Sequence, residues 1–306
     1  MGPLETKEWV RELAARQGFV AAGVAAADCS LPTGPLEQFL QNGYHAGMAY
    51  LVRQGMGRLD VRSVLPQAQS VICLAVSYAP APGDPANAHV ARYARGRDYH
   101  RLLRRRCEKI VAQLRTHKAD LAAKICVDSA PLSDRSLAAA AGLGWIGRNG
   151  CLINPRWGSY LLLAEIVTDL PLPPDSPIPS RCGDCRRCIQ ACPGQAIVAD
   201  GLVDCRRCNS YLTIEHRGQI PPDRRRQIGQ RVFGCDACQE ACPFNQGAPA
   251  GLEEFRRPTA MAGMSPRQLL RLSRAGWEEF SPGSPLRRCG YDGLLRNAAI
   301  ACENAS

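Results

Sequence analysis

Cys182-Gly-Asp-Cys185-Arg-Arg-Cys188-Ile-Gln-Ala-Cys192-Pro193 is the stretch that decides how this chain is organised. A second run, Cys235-Asp-Ala-Cys238-Gln-Glu-Ala-Cys242-Pro243, repeats its ending, and Cys205-Arg-Arg-Cys208 lies between the two. Three closely spaced thiolates hold one iron–sulfur cluster, and the cysteine before proline ligates the other cluster of a pair. The spacing therefore predicts two [4Fe-4S] clusters and a protein that moves single electrons.

The spacing assigns ligands to both clusters and leaves one choice open. The first cluster is assigned Cys182, Cys185, Cys188 and Cys242. The second is assigned Cys192, Cys235 and Cys238, with a fourth thiolate from either Cys205 or Cys208. A pair of zinc sites would also use Cys-x2-Cys, but two Cys-x3-Cys-Pro endings favour iron–sulfur clusters of the bacterial ferredoxin type.

Composition limits the class of protein. The chain has 306 residues, 45% of them hydrophobic, which is enough for a packed core. The first residues contain no uninterrupted apolar segment, and no run of about 18 apolar residues follows, so no signal peptide or membrane span is expected. The cysteines outside the cluster segment are then expected to be reduced. We expect a cytoplasmic monomer.

The pattern along the chain predicts an α+β protein in three parts. Residues 1–170 mix helices, at 5–17, 99–117 and 133–141, with strands, at 70–78, 125–127 and 159–168. A proline-rich linker opens a two-[4Fe-4S] ferredoxin-like domain over residues 171–246. Residues 247–306 form a helical C-terminal segment, with helices predicted at 265–273 and 291–303.

Few polar residues outside the cysteines suggest chemistry. Asp128 ends a short apolar strand, and an acid there can donate a proton if partial burial raises its pKa; a turn aspartate explains the position equally well. Tyr99 begins a predicted helix, where an aromatic side chain also commonly docks on the core. Gly142-x-Gly144-x-x-Gly147 follows a helix rather than a strand, which indicates a helix stop and not a nucleotide site.

Together, these features resemble the epoxyqueuosine reductase family. The resemblance rests on both cysteine runs and on the following stretches: Arg95-Gly-Arg-Asp-Tyr-His100, Val127-Asp-Ser-Ala-Pro131, Gly142-Leu-Gly-Trp-Ile-Gly-Arg-Asn149, Gly158-Ser-Tyr160 with Ala164-Glu165, and Ser210-Tyr-Leu-Thr-Ile-Glu215. It implies a mixed α/β domain that holds cobalamin, two [4Fe-4S] clusters that reduce it, and removal of the epoxide oxygen from a modified base at the tRNA wobble position.

The resemblance also implies roles for individual residues. Asp128 corresponds to the proton donor and Tyr99 to an active-site neighbour. The implied cobalamin contacts are Arg58, Asp128, Leu152, Ile153, Asn154, Leu163, Ser210 and Asp236. The cysteine directly before Asn209 is the family's remote cluster ligand, which selects Cys208 over Cys205. One departure is Ala91, where some relatives carry a cysteine near the cobalt, so a mechanism that requires that thiol is in doubt here.

Arginine clusters give the chain a net charge of +10 and suggest an anionic partner. For a tRNA anticodon stem-loop, we expect contacts from Arg217, Arg224 and Arg225. An unidentified low-potential electron donor is also required. Two other functions also agree with the sequence. One is a ferredoxin-type electron-transfer protein without a substrate site, and the other is a reductive dehalogenase relative that acts on a small molecule.

Overall fold

A computed structural model describes residues 2–84 and 89–305. The strands in these residues are β1 (Ala21–Ala26), β2 (Ser70–Ser77), β3 (Ala123–Cys126), β4 (Trp145–Ile146), β5 (Leu152–Ile153), β6 (Leu161–Thr168), β7 (Ile197–Ala199) and β8 (Leu202–Val203). The helices are α1 (Pro3–Arg16), α2 (Gly34–Gln41), α3 (Ala49–Gln54), α4 (Tyr99–Arg115), α5 (Asp134–Ala140), α6 (Arg187–Gln190), α7 (Asn209–Ile214), α8 (Pro222–Ile228), α9 (Ala237–Glu240), α10 (Glu253–Arg256), α11 (Pro266–Leu270), α12 (Arg274–Phe280) and α13 (Gly290–Glu303). The protein is α+β, as predicted.

The main sheet has four antiparallel strands in the order β1-β2-β6-β3. The central pair, β2 and β6, is in register over eight residues, from Ser70 opposite Thr168 to Ser77 opposite Leu161. Every residue of β2 is buried, because helices cover both faces of the sheet. A strand covered on both faces needs apolar residues at successive positions, which explains why β2 reads as a continuous apolar run.

Alternate side chains of β2 enter two separate cores. Ile72 and Leu74 pack with α1 and α4 on the first face of the sheet. Cys73 and Ala75 pack with α5 on the second face. The end of α5 approaches β1 so closely that a Cβ on Gly23 would lie 2.1 Å from the carbonyl oxygen of Ala141. Only glycine permits this contact.

A small hairpin joins the sheet to the cysteine segment. β4 pairs antiparallel with β5, and Trp145 and Ile153 pack against Cys242 and Phe244. A Cβ on Gly144 would lie 2.1 Å from the carbonyl oxygen of Ile153. The glycine spacing noted in the sequence thus serves a helix stop and a tight hairpin.

The C-terminal residues pack on both preceding parts. The amide of Gly251 donates to the carbonyl of Ala79 (2.9 Å), and Phe255 is buried in the first core of the sheet. Leu269 and Leu294, from α11 and α13, share a third core with Phe233. The division at residues 170 and 246 stays a prediction.

One predicted element differs from the structure. The helix expected at 265–273 is shorter, because α11 ends at Leu270 and the side chain of Ser273 accepts a hydrogen bond from the amide of Gly276 (3.1 Å) as the N-cap of a separate helix, α12. None of the helices in residues 2–84 and 89–305 is both long and apolar enough to cross a membrane.

Candidate active site

Asp128 lies just beyond the end of β3 in an unusual backbone conformation. Its φ is +56°, in the left-handed region that few residues other than glycine adopt. The amide of Ser129 donates to the carbonyl of Val127 (2.6 Å), which closes a tight turn around Asp128. The turn directs the carboxylate out of the sheet, and 61% of its side-chain surface is exposed. Backbone strain of this kind concentrates at functional sites.

The start of α4 supplies two partners for Asp128. The hydroxyl of Tyr99 donates to Asp128 Oδ2 (2.9 Å), and Nε2 of His100 lies 3.5 Å from the same oxygen. Asp98 is the N-cap of α4, and its Oδ1 accepts from the amide of His100 (3.0 Å) and from Nδ1 of the same residue (2.6 Å). His100 therefore bridges two carboxylates.

This arrangement determines which group carries the proton. Hydrogen bonds to Asp128 and then to Asp98 raise the pKa of His100 to about 9. The hydrogen bond from His100 is also the main cause that lowers the pKa of Asp128, with Tyr99 adding to it and partial burial opposing it. The condition under which Asp128 would hold its own proton, a pKa raised by partial burial, is therefore not met. At neutral pH His100 is the cation and Asp128 the anion.

Three further residues near Asp128 were not predicted. Tyr50 is half-buried, and burial followed by the charge of Glu215 raises its pKa, with Asp128 also contributing. Arg288 binds Glu215 through Nε (2.7 Å) and Nη2 (3.2 Å). The charge of Arg288 helps to lower the pKa of Asp128. These residues come from distant parts of the chain, so no local sequence signal marks them as neighbours.

Of the predicted cobalamin contacts, Arg58, Leu152 and Leu163 lie on the same side of the sheet as α5. Nη2 of Arg58 donates to the carbonyl of Leu132 (2.6 Å), and the carbonyl of Arg58 accepts from the amide of Ser133 (3.0 Å), which ties Arg58 to the loop after Asp128. Leu163 is partly exposed beside the second core. Leu152 and Ile153 form β5. The amide side chain of Asn154 instead braces its own turn, because it donates to the carbonyl of Leu143 (2.6 Å) and accepts from the amide of Trp157 (3.0 Å).

A buried acid also lies on this face. Glu165, in the middle of β6 between Cys73 and Cys126 on the neighbouring strands, has no exposed surface. Neither of its carboxyl oxygens has a hydrogen-bond partner among the described residues, and one oxygen of Asp134 is also unpartnered. Burial, followed by the charge of Asp134, raises the pKa of Glu165 well above its usual range. Burial of this kind favours the neutral form of the Glu165 carboxyl group.

The four thiols assigned to the first cluster border one cavity. Its volume is about 270 Å³, and its lining includes Cys182, Cys185, Cys188 and Cys242. Nε1 of Trp145 lies 3.4 Å from the Sγ of Cys182 and can donate to a ligated thiolate. Among the described residues, no three His, Cys, Asp or Glu side chains are close enough to hold a single ion. A cavity of this size between four thiols fits a cluster of several atoms.

Of the remaining cluster-segment thiols, Cys192, Cys208 and Cys235 form a second group near Cys238. Burial, and then the neighbouring thiols Cys151, Cys208, Cys235 and Cys192, raise the pKa of Cys238. Cys208 precedes α7, and the main-chain N–H groups of Tyr211 and Ser210 donate to its sulfur. Cys205 and Cys208 both pack against the apolar cluster of Leu212 and Ile228. Cys208 also interacts with Cys192, Cys235 and Cys238, whereas the thiol that acts on Cys205 is that of Cys208. The geometry therefore groups Cys208 with Cys192, Cys235 and Cys238.

Ser210 and Asp236 lie beside this second group. The side chain of Ser210 forms a hydrogen bond with Cys208. Asp236 follows Cys235, is buried, and accepts from the amide of Arg92 (2.7 Å). Burial raises the pKa of Asp236. Ser210 therefore supports the Cys208 thiol directly, whereas Asp236 holds the main chain at Arg92 against the residue next to Cys235.

The arginines predicted to contact nucleic acid lie in two places. Arg217 donates to the carbonyls of Ile214 (3.0 Å) and Arg288 (2.9 Å) and borders a cleft. Arg224 and Arg225 belong to α8, where Arg224 pairs with Asp223 (3.2 Å) and Arg225 donates to the carbonyl of Ile220 (3.1 Å). Only Arg217 is near the groups around Asp128, through Arg288.

Comparisons with known proteins agree with this geometry. Residues 58–129 match the family model described as "Epoxyqueuosine reductase QueG, DUF1730", and residues 181–245 match the 4Fe-4S double cluster binding domain. The epoxyqueuosine reductase of Xanthomonas campestris pv. campestris is 38% identical over 312 residues, which cover 99% of this chain and 88% of that protein.

Two solved structures are also similar. One is an epoxyqueuosine reductase with a tRNA-Tyr epoxyqueuosine-modified stem loop (31% identity, TM-score 0.89, covering 98% of this chain and 81% of that one). The other is the Bacillus subtilis enzyme with a catalytic aspartate loop swung out of its active site (29% identity, TM-score 0.87, covering 98% and 82%). The chain carries a double [4Fe-4S] cluster-binding domain, and it belongs to the epoxyqueuosine reductase family of oxidoreductases.

Proposed function

We propose that this protein reduces epoxyqueuosine to queuosine at the wobble position of tRNA. Family membership over nearly the whole chain supports the reaction. The observation that carries it is the strained Asp128, whose carboxylate accepts from Tyr99 (2.9 Å) and faces His100 (3.5 Å). A tRNA substrate also agrees with the cytoplasmic location expected from the sequence.

Removal of an epoxide oxygen as water, which leaves an alkene, consumes two electrons and two protons. An alkoxide is a poor leaving group at neutral pH, so an acid must protonate the oxygen as its bond to carbon breaks. Of Tyr99, His100 and Asp128, Asp128 is the most exposed, with 61% of its side-chain surface accessible. Asp128 is ionised at rest, so the proton comes from the His100 imidazolium and passes to the oxygen through the Asp128 carboxyl group, while Asp98 holds the imidazole ring in place. The tyrosine hydroxyl orients the carboxylate.

Cobalamin is the cofactor proposed for this site, and the residues present fit it. A buried polar group without a partner needs an explanation, and a bound ligand is one. Glu165 and Asp134 are two such groups on the sheet face that also carries Leu163. We propose that Arg58, Leu163 and the β4–β5 hairpin hold the cofactor beside Asp128. Bound cobalamin supplies a cobalt centre that can be reduced and can transfer electrons to the substrate.

The cluster ligands are proposed from the grouping of the thiols. The first cluster takes Cys182, Cys185, Cys188 and Cys242, and the second takes Cys192, Cys208, Cys235 and Cys238. The cavity between the first four thiols and the proximity of the second four support these sets. The clusters supply electrons one at a time from a low-potential donor.

The proposal is tested by mass analysis of tRNA nucleosides from a strain that lacks this gene. We expect epoxyqueuosine to accumulate and queuosine to disappear, and the intact gene to reverse both changes. Purified protein, kept under anaerobic conditions with cobalamin and a chemical reductant, should convert epoxyqueuosine in a stem-loop RNA. Unchanged queuosine in the deletion strain would rule the function out.

A further inference from the structure

A second concave site, which we name the basic cleft, lies beside the Asp128 site. It is formed by residues 216–219, residues 287–293 and Arg296, and its volume is about 460 Å³. Four of its lining residues are arginines: Arg217, Arg287, Arg288 and Arg296. The cleft has no part in the proton transfer proposed above.

Two of these arginines carry positive charge that no acid offsets. Arg217 donates to the carbonyls of Ile214 (3.0 Å), Cys289 (3.2 Å) and Arg288 (2.9 Å). Arg296 donates to the carbonyls of Gly218 (2.7 Å) and His216 (3.0 Å), among others. Neither forms an ion pair in the part of the chain that the structure describes. Burial, followed by repulsion from Arg217, lowers the pKa of Arg296.

The remaining charges of the cleft occur in pairs. Arg287 binds Glu278 (3.2 Å), Arg288 binds Glu215 (2.7 Å), and Asp292 binds Arg274 (3.4 Å). The rim is therefore close to neutral, and the excess charge comes from Arg217 and Arg296. Main-chain bonds already hold both guanidinium groups in place, so an anion that binds there orders no free side chain.

The basic cleft interacts electrostatically with the Asp128 site. Arg288 lines the cleft, and its charge acts on both Asp128 and Tyr50. A polymer that occupies the Asp128 site can therefore extend toward the cleft past Arg288. Among polymers, a chain of phosphodiesters matches a concave site with two uncompensated arginines.

We propose that the basic cleft binds backbone phosphates of the RNA nucleotides that flank the modified base. This inference rests on the proposed function, because it takes the base at Asp128 to be part of an RNA. Phosphate contacts position a nucleic acid without reading its sequence. The cleft therefore fixes the register of the anticodon loop, and the groups around Asp128 act on the one base that is placed there.

The test compares three variants of the holoprotein by fluorescence anisotropy with a labelled anticodon stem-loop RNA over a range of KCl concentrations. Arg217→Gln removes one cleft charge, and Arg217→Lys keeps the charge. Arg257→Gln is the matched control, because it makes the same change of net charge on a side chain that is 81% exposed outside the cleft. Iron content and the thermal midpoint establish that each variant is folded.

We expect Arg217→Gln to weaken binding at low salt by roughly tenfold, the effect of about 1.4 kcal/mol. The slope of log affinity against log salt should fall by about 0.7 to 0.9, the value of one phosphate contact. Arg217→Lys should restore most of the affinity, and Arg257→Gln should match the parent.

Three results would overturn the cleft as a phosphate site. In the first, Arg217→Gln and Arg257→Gln bind RNA equally well. In the second, Arg217→Lys fails like Arg217→Gln, which would show a purely structural role. In the third, RNA affinity is unchanged while reduction by a protein electron donor slows, which would identify a docking site for an acidic donor protein. RNA binding needs no turnover, so cleft-dependent binding by a protein that leaves epoxyqueuosine unreduced would sink the proposed function alone.

Discussion

Asp128 can be replaced with little change of shape, because asparagine is isosteric and tolerates the positive φ found there. Asp128→Asn cannot deliver a proton from a carboxyl group. We expect turnover of epoxyqueuosine in stem-loop RNA to fall by about 10² to 10⁴-fold, the range for the loss of a general acid, with the iron content unchanged. Nucleoside mass analysis measures the rate. Asp120→Asn, on an exposed loop, is the control, and near-parental turnover by Asp128→Asn would remove Asp128 from the mechanism.

The raised pKa of His100 predicts how the rate of the same reaction depends on pH. Its folded-state pKa is raised to about 9, so the imidazolium is present below that pH and is lost as the pH rises through it. We expect the rate to fall above about pH 9 in the parent protein, with the RNA-binding affinity measured separately at each pH. His100→Gln should lower the rate at neutral pH and lose this basic limb. If the rate of His100→Gln still fell above about pH 9, that pH dependence would come from another group.

The Asp128 site shows how far a sequence leads at the scale of single residues. Asp128 and Tyr99 were both predicted, and they are joined by a hydrogen bond. The lowered pKa of Asp128 was not predicted. It depends on the position of His100 between Asp98 and Asp128, and spacing along the chain does not give the distances between these side chains. In the sequence, Glu165 is only one residue of the Ala164-Glu165 motif. Its burial without a hydrogen-bond partner among the described residues is a property of the folded state.

At the scale of elements, strands with continuous apolar sequence were predicted correctly. β2 and β6 were both found because they are buried on both faces. β1 was missed, since Ala21-Ala-Gly-Val-Ala-Ala26 is short and rich in residues with weak strand preference. It becomes a strand by pairing with β2, and its small side chains let α5 approach closely.

The turn and helix around residues 205–214 allow a paired test of the second cluster. Cys208 lies at the start of α7 and interacts with Cys192, Cys235 and Cys238, whereas the thiol that acts on Cys205 is that of Cys208. Cys208→Ser should lose up to half of the iron and the absorbance of one cluster, because serine lacks a soft sulfur ligand. Cys205→Ser should keep the iron of the parent. The opposite pattern would exchange the two assignments.

Strand β6 carries a further prediction through Glu165. Its pKa is raised in the folded protein, so the folded state holds a proton that the unfolded state releases above about pH 4.5. Stability should therefore fall as the pH rises above that value, with a limit of about 1.4 kcal/mol per pH unit. Glu165→Gln stays neutral, so its thermal midpoint without cofactor should exceed that of the parent at pH 8.5 and approach it at pH 5.5. Glu303→Gln, on an exposed carboxylate, is the control, and an equal pH response in Glu165→Gln and the parent would contradict a neutral Glu165.

At the scale of the whole molecule, two kinds of core hold the chain together. The main sheet is stabilised by two apolar cores, one on each face, and neither core contains a cysteine assigned to a cluster. Around the cysteines, the apolar cluster is small, and a cavity lies between the first four thiols. Metal clusters substitute for a hydrophobic core in segments of this kind, because their binding free energy is part of the folding free energy.

Removal of iron should therefore destabilise the cysteine segment before the main sheet. After anaerobic treatment with an iron chelator, we expect amides in residues 181–203 to exchange hydrogen for deuterium rapidly, while those of β2 and β6 stay protected, because the sheet has a core of its own. The untreated protein should contain about eight irons per chain, and reconstitution with iron and sulfide should restore protection. Equal loss of protection in the sheet would show a single cooperative unit. A content near two zinc ions with little iron would replace both clusters by zinc sites.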